Sequence, residues 1–143
     1  MSQPRGASVE APVVVDTDVL SFLQKGDSRR EKYLPLLSGR TLVISFQTVA
    51  EQLRWAVEKN WGDRRRMDLE AYLRQFLVYP YSMDLAREWA HVMTEPRRAG
   101  RPLSTGDGWV AATSRLARLP LVTHNRKDFA AVAGLELISF GPD

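Results

Sequence analysis

Along the chain, apolar positions alternate between short continuous runs and stretches with helical spacing. Ala11-Pro12-Val13-Val14-Val15-Asp16 is a β-branched run entered through a proline and ended by an acid, the pattern of a strand buried on both faces of a parallel sheet. Thr17 or Asp18 can cap a following helix, whose apolar positions Val19, Leu20, Phe22 and Leu23 continue until Gly26 stops it. A second short helix is expected from Arg29 to Leu37. Ser38-Gly39 marks a turn, Thr41-Leu42-Val43-Ile44 reads as the next buried strand, and a helix follows from about Phe46 to Lys59. Gly62-Asp63 opens an amphipathic helix carrying Met67, Leu69, Tyr72, Leu73 and Phe76. Leu77-Val78-Tyr79 predicts a short strand before Pro80, and Ser82 begins a helix to about Thr94. Arg97 to Pro102 reads as a basic loop, and Ser104-Thr105-Gly106-Asp107 as the capping segment of a helix that runs to Arg118. Leu119 to Thr123 is then a strand, Asn125 to Phe129 a loop, and Leu135 to Phe140 the last strand.

Strands that alternate with helices predict an α/β fold, a three-layer α/β/α domain with a mostly parallel central sheet. The 143 residues fit one domain, expected over residues 11–143 behind a short loose tail at residues 1–10. That tail is polar and lacks the apolar segment of a secretory signal. With 44% hydrophobic and 26% charged residues and no long uncharged apolar run, the chain has material for a core but none for a membrane span. The lack of cysteine excludes disulfides and thiolate metal sites and suits a reducing compartment, so a cytoplasmic location is expected. The net charge is +3, with arginine clusters at Arg29-Arg30, Arg64-Arg65-Arg66 and Arg97-Arg98 followed by Arg101. Such clusters can attract phosphate backbones, but each one alone is better read as a solvated helix face, and their value is cumulative.

The acids are more informative. In right-handed β–α–β units the carboxyl ends of strands and the starts of the following helices share one sheet edge. Asp16 closes the first strand, Glu51 lies early in the helix after the second, Asp107 opens the last long helix, and Asp128 follows the penultimate strand. All four are expected to face one crevice. Two carboxylates about 4 Å apart repel by roughly 4 kcal/mol at an effective dielectric near 20, unless a proton or a cation intervenes. An oxygen-only donor set, with only His91 and His124 as histidines and no cysteine, favours magnesium or manganese over zinc. Metal-assisted attack on a phosphodiester is the chemistry such a site suits. Taken singly, Glu51 and Asp107 also fit the role of first-turn acids that complement a helix dipole.

Four segments carry a resemblance. Val13-Val14-Val15-Asp16-Thr17-Asp18-Val19-Leu20 resembles the first motif of PIN domains, and Ser45-Phe46-Gln47-Thr48-Val49-Ala50-Glu51-Gln52-Leu53 the second. Gly106-Asp107-Gly108-Trp109-Val110-Ala111-Ala112-Thr113 is similar to the third, and Leu121-Val122-Thr123-His124-Asn125-Arg126-Lys127-Asp128-Phe129 to the fourth. Order and spacing agree over about Val13 to Phe140, and four motifs in sequence are more specific than any one. Asp18 departs from the asparagine more usual in the family and adds a negative charge beside Asp16.

The resemblance implies a metal-dependent endoribonuclease like the toxin half of a VapBC toxin–antitoxin pair. It implies catalytic roles for Asp16, Glu51, Asp107 and Asp128, with Asp16 and Asp107 as the direct metal ligands. Thr17, Thr123 and Asn125 would orient that shell, although Thr17 also fits a helix cap and Asn125 a turn residue. His124 is expected to be structural or exposed, and His91 to lie on a helix face. Trp55, Trp61, Trp89 and Trp109 are expected to be packing or interface residues rather than base-stacking platforms. The implied partners are an RNA substrate, a VapB-type antitoxin laid into a groove near Leu20, Leu23 and Trp55, and a second copy of the chain; no membrane is involved. Other readings are a PIN-type nuclease acting in RNA processing or on DNA without an antitoxin, and a catalytically silent RNA- or protein-binding module. A phosphoacceptor switch fits poorly, because Glu51 sits on a helix and not at a strand end.

Overall fold

The computed structural model describes residues 11–142, so the tail expected at residues 1–10 lies outside the described residues. Five short strands form one sheet: β1 (Val13–Val15), β2 (Leu42–Ser45), β3 (Leu77–Tyr79), β4 (Leu121–Val122) and β5 (Leu137–Ile138). Their order is β3-β2-β1-β4-β5 and every pairing is parallel. Val14 of β1 is in register with Val43 on one side and Leu121 on the other. The three valines of β1 are fully buried, as a strand covered on both faces requires.

The helices lie where the handedness of parallel crossovers puts them. Steps from β1 to β2 and from β2 to β3 run in one direction across the sheet. They carry α1 (Thr17–Lys25), α2 (Arg30–Leu37), α3 (Phe46–Glu58) and α4 (Asp63–Leu73). The chain then crosses back from β3 to β4 and on to β5, through α5 (Met83–Arg98), α6 (Thr105–Ala117) and α7 (Arg126–Phe129). Right-handed crossovers that reverse direction must cover opposite faces. Alternate strand residues accordingly enter two cores. Val13, Val15, Ile44 and Val122 pack with Leu20, Tyr33, Leu69 and Leu73. Val14, Val43 and Leu121 pack with Leu85, Val92, Val110, Ala111 and Phe129. The result is the three-layer α/β/α domain expected, with all five strands parallel.

Several boundaries differ from expectation. Asp16 itself is the N-cap of α1, its carboxylate accepting from the Thr17 N–H, so neither Thr17 nor Asp18 caps that helix. Helix α5 continues through the buried Pro96 to Arg98, because a proline near a helix end forfeits only one backbone bond. Arg97 and Arg98 therefore occupy its last turn, where cations complement the helix dipole, and the loop begins after them. The segment after β4 is not simply a loop, since Arg126–Phe129 forms one helical turn. In α4, Met67 is exposed while Leu69 and Leu73 are buried, and Phe76 lies beyond the helix end. No helix among the described residues is long and apolar enough to cross a membrane.

Candidate active site

In an open parallel sheet the crevice forms beyond the carboxyl ends of the strands where the order reverses. Here that point lies between β1 and β4, and both strands end there in a polar side chain: Asp16 after β1 and Thr123 after β4. Backbone bonds from Asp16 N to Val122 O and from Thr123 N to Ile138 O, each 3.0 Å, fix the two strand ends. The Thr123 hydroxyl donates to Asp16 Oδ2 at 2.8 Å, and Thr17 N donates to Oδ1 at 2.7 Å. The same hydroxyl accepts from Asn125 N at 3.1 Å, so it is oriented toward Asp16. A carboxylate has about four lone-pair positions, and these bonds leave others free to face the crevice.

The other acids arrive on helices. Glu51 lies on α3, two turns below the Ser45 cap, and is half-buried. Asp107 stands in the first turn of α6, its N–H donating to the Ser104 cap at 3.2 Å. Asp128 is exposed on α7, its N–H donating to Asn125 O at 3.0 Å. With Asp18 from the first turn of α1, these side chains line a cavity of about 120 Å³ together with Thr17, Ser104, Gly106, Val110 and Asn125. All four acids expected at the site are therefore brought together, and so are Thr17 and Asn125. Thr17 is tied across to α3 by a 3.0 Å contact between its hydroxyl and that of Thr48. Asn125 donates through its amide to Asp18.

No lysine or arginine is among the residues lining this cavity. Burial, with uncompensated negative charge second to it, raises the pKa of these acids. Burial, with added repulsion from Asp18 and Asp107, pushes the Asp16 carboxyl from its ordinary 3.8 to about 7, against the Thr123 and Thr17 hydrogen bonds. Burial and then the nearby Asp128 push Asp107 up to about 6. Glu51 is raised as well, by burial first, while a bond from Gln47 opposes the rise. Among the described residues, no three acids or histidines are drawn tightly enough together to form a finished metal cage. The donor set nevertheless fits a hard divalent cation, being all oxygen, several-fold negative and unneutralised by any cation in its wall.

Two contributions escaped the sequence reading, and a third goes further than it. Gly106 is one: a Cβ there would stand 3.0 Å from Glu51 Oε1, so the lack of a side chain is what lets Glu51 reach the cavity. Tyr33 is another, buried behind the site with its hydroxyl 2.7 Å from His124 Nδ1 and accepting from Phe140 N at 3.2 Å. It braces the Thr123-His124-Asn125 segment, and His124 is buried there rather than exposed. The third is Asp18, expected to add charge beside Asp16, which lines the cavity itself as a fifth carboxylate. A chain-local signal existed only for Asp18, since the Tyr33 and Gly106 contacts join distant segments.

Of the residues expected to line a partner groove, Leu20 is fully buried in the core, because its position on α1 points inward under the sheet. Leu23 faces a separate depression with Leu34, Tyr72 and Phe76. Trp55 does line a groove of about 470 Å³ that shares Thr17, Asp18 and Glu51 with the acidic cavity. Trp89 and Trp109, both half-buried against the core, stack on each other at 4.9 Å between α5 and α6, as packing residues do. The Arg64-Arg65-Arg66 cluster is a helix face engaged with Asp68 and Trp61. His91 is an exposed residue of α5.

A parallel sheet whose switch point gathers carboxylates from β1, α3, α6 and α7 has the architecture of the PIN domain. Residues 13–135 match that family, and the chain belongs to it. Among its relatives, VapC ribonuclease Y4jK of Sinorhizobium fredii is 29% identical over 136 residues, covering 89% of this chain and 96% of its own length. A structure of VapBC-5, a member of the VapBC toxin–antitoxin systems from Mycobacterium tuberculosis, contains a chain that superimposes with a TM-score of 0.66 at 28% identity, over 91% of this chain and 99% of that one. A DNA-bound VapBC from Salmonella typhimurium aligns with a TM-score of 0.76 at 21% identity, covering 91% of this chain and 98% of that one.

Proposed function

We propose that this chain is an endoribonuclease that requires magnesium or manganese and acts as the toxin of a VapBC-type pair. The observation that carries this reading is the cavity lined by Asp16, Asp18, Glu51, Asp107 and Asp128 with no cation in its wall. Asp16 and Asp107 would hold the ion directly, with Glu51 and Asp128 acting on it directly or through water. A divalent ion held there supplies Lewis-acid charge for phosphodiester hydrolysis. The chain's own residues prepare the place: Thr123 and the Thr17 N–H fix both oxygens of Asp16, Ser104 fixes the first turn bearing Asp107, and Gly106 leaves room for Glu51. RNA as substrate and a VapB-type antitoxin as partner are supported by what the relatives are called and by their complexes. A homodimer in the cytoplasm completes the proposal.

The test combines melting temperature and RNA cleavage across a manganese titration of chelator-treated protein, for wild type and Asp107→Asn. Stabilisation that grows with manganese above its dissociation constant, and is lost with Asp107→Asn, is the expected result. The gain shrinks on acidification, since protons compete for the same carboxylates. Equal stabilisation of both proteins, or full cleavage in excess chelator, refutes the reading.

A further inference from the structure

The acidic cavity opens on two sides, and the two openings differ in charge. Toward α1 and α3 the adjoining groove carries Lys25, Arg29 and Arg54, of which the two arginines are already paired with carboxylates. Arg29 makes a two-pronged pair with Asp27, Arg54 pairs with Glu58 at 2.9 Å, and Lys25 stands 3.6 Å above the Trp55 ring. Toward α6 and α7 a second cavity of about 330 Å³ shares Ser104, Asp107 and Asp128 with the acidic one. Its wall carries Arg101 and Lys127, both exposed, and neither has an ion pair among the described residues.

Resting on the ribonuclease reading, we propose that Arg101 and Lys127 form a backbone subsite that grips the phosphates of the RNA strand next to the bond being cut, on the α6–α7 side of the acids. A strand entering a cavity of carboxylates must be held against their charge, and only cations not already neutralised can do so. Arg101 offers a planar fork suited to phosphate oxygens, and Lys127 a compact point charge one residue from Asp128. They stand beside Asp107 and Asp128, so a phosphate bound between them is one neighbour removed from the acids that would hold the metal. In the opposite groove the paired Arg29 and Arg54 add little to backbone affinity, and the remaining cation, Lys25, lies over Trp55 in a groove that lacks Asp107 and Asp128. The strand is therefore held asymmetrically, chiefly by one flank.

The experiment measures binding of a fluorescein-labelled single-stranded RNA as a function of salt, with cleavage silenced by Asp16→Asn. Each phosphate contact on a single strand contributes about 0.7 to the slope of log affinity against log salt. Arg101→Ala with Lys127→Ala is expected to lower that slope by about 1.4, whereas Arg54→Ala leaves it as it was. In the cleaving protein the double change should raise KM more than it lowers kcat. Both side chains are exposed, so the fold survives, and an unchanged manganese-induced melting shift in the Asp16-bearing double variant confirms that the acidic site is intact. An unchanged salt slope overturns the subsite while leaving the ribonuclease reading standing, and loss of a coexpressed antitoxin in place of the slope assigns the cavity to the protein partner. If the protein carrying only Asp16→Asn binds no RNA and the wild type cuts none, both proposals fall together.

Discussion

Replacing Asp16 with asparagine is expected to stabilise the metal-free protein at pH 8 while abolishing its RNA cleavage. In the fold this carboxyl ionises near pH 7 instead of 3.8. At 1.36 kcal/mol per pKa unit, holding it charged costs the native state about 4 kcal/mol. Asparagine removes that cost but matches the hydrogen bonds less well. Its carbonyl can accept from Thr17 N, whereas its amide would face a Thr123 hydroxyl that donates to Asp16 and already accepts from Asn125 N. One mismatched bond costs about 1 to 1.5 kcal/mol, which leaves a net gain of about 2 to 3 kcal/mol. At about 3 °C per kcal/mol for a domain of this size, the melting temperature in chelator should rise by about 6 to 9 °C.

The sign follows from proton linkage. A carboxyl with its pKa raised by folding binds more protons in the native state, so the contribution of Asp16 to wild-type stability falls as pH rises from about 4 to about 7 and levels off above. Below pH 4 both states are protonated, the cost vanishes, and the asparagine variant should be no more stable than wild type. Urea denaturation of both proteins at pH 4, 6 and 8 in chelator measures the difference. A variant less stable than wild type at pH 8, or a gap of the same size at pH 4 and pH 8, would refute the reasoning.

Gly106→Ala should lower cleavage about tenfold, an activation difference of about 1.4 kcal/mol, because its Cβ would press on Glu51 Oε1. Thermal melting should change little, and wild-type kcat in this variant would show that the placement of Glu51 does not matter. Tyr33→Phe should cost about 1 to 3 kcal/mol in urea denaturation, since it strips a partner from buried His124 and from the Phe140 N–H. A loss under about 0.5 kcal/mol would mean that water replaces the hydroxyl and that the brace behind Thr123 is dispensable.

The sheet was legible because Val13-Val14-Val15, Leu42-Val43-Ile44 and Leu121-Val122 are too uniformly apolar to face water on either side. Once those strands are parallel, topology alone carries Asp16, Glu51, Asp107 and Asp128 to one edge, and so the acids could be found without coordinates. Finer features depend on contacts between distant segments. Asp16 both ends a strand and caps a helix, with no intervening residue to mark the junction, so a reading by cap propensity alone assigned the role to its neighbours. Helix α5 outruns the end expected near Thr94 because Pro96 lies where it has little hydrogen bonding left to lose. The inward aim of Leu20 depends on the rotational phase of α1 against the sheet, which adjacent apolar residues at Val19 and Leu20 leave undetermined. Gly106 and Tyr33 gain their importance only from what the fold sets beside them.

Because β1 lies between β2 and β4, the first residues of the domain wait for the last to complete their surroundings. Asp16 is synthesised early, but the Thr123 hydroxyl that orients it, the Asn125 amide that meets Asp18, and Asp128 all belong to the closing segment. Even Tyr33 needs the Phe140 N–H, and Gly141 passes so close to His124 that a Cβ would stand 2.1 Å from its carbonyl oxygen. A nascent chain whose closing segment is still inside the ribosome therefore has no assembled site, whatever part of β1 to β3 has already folded. Assembly of the acidic centre is therefore tied to the arrival of the segment from Thr123 to Gly141, and no earlier part of the domain can complete it.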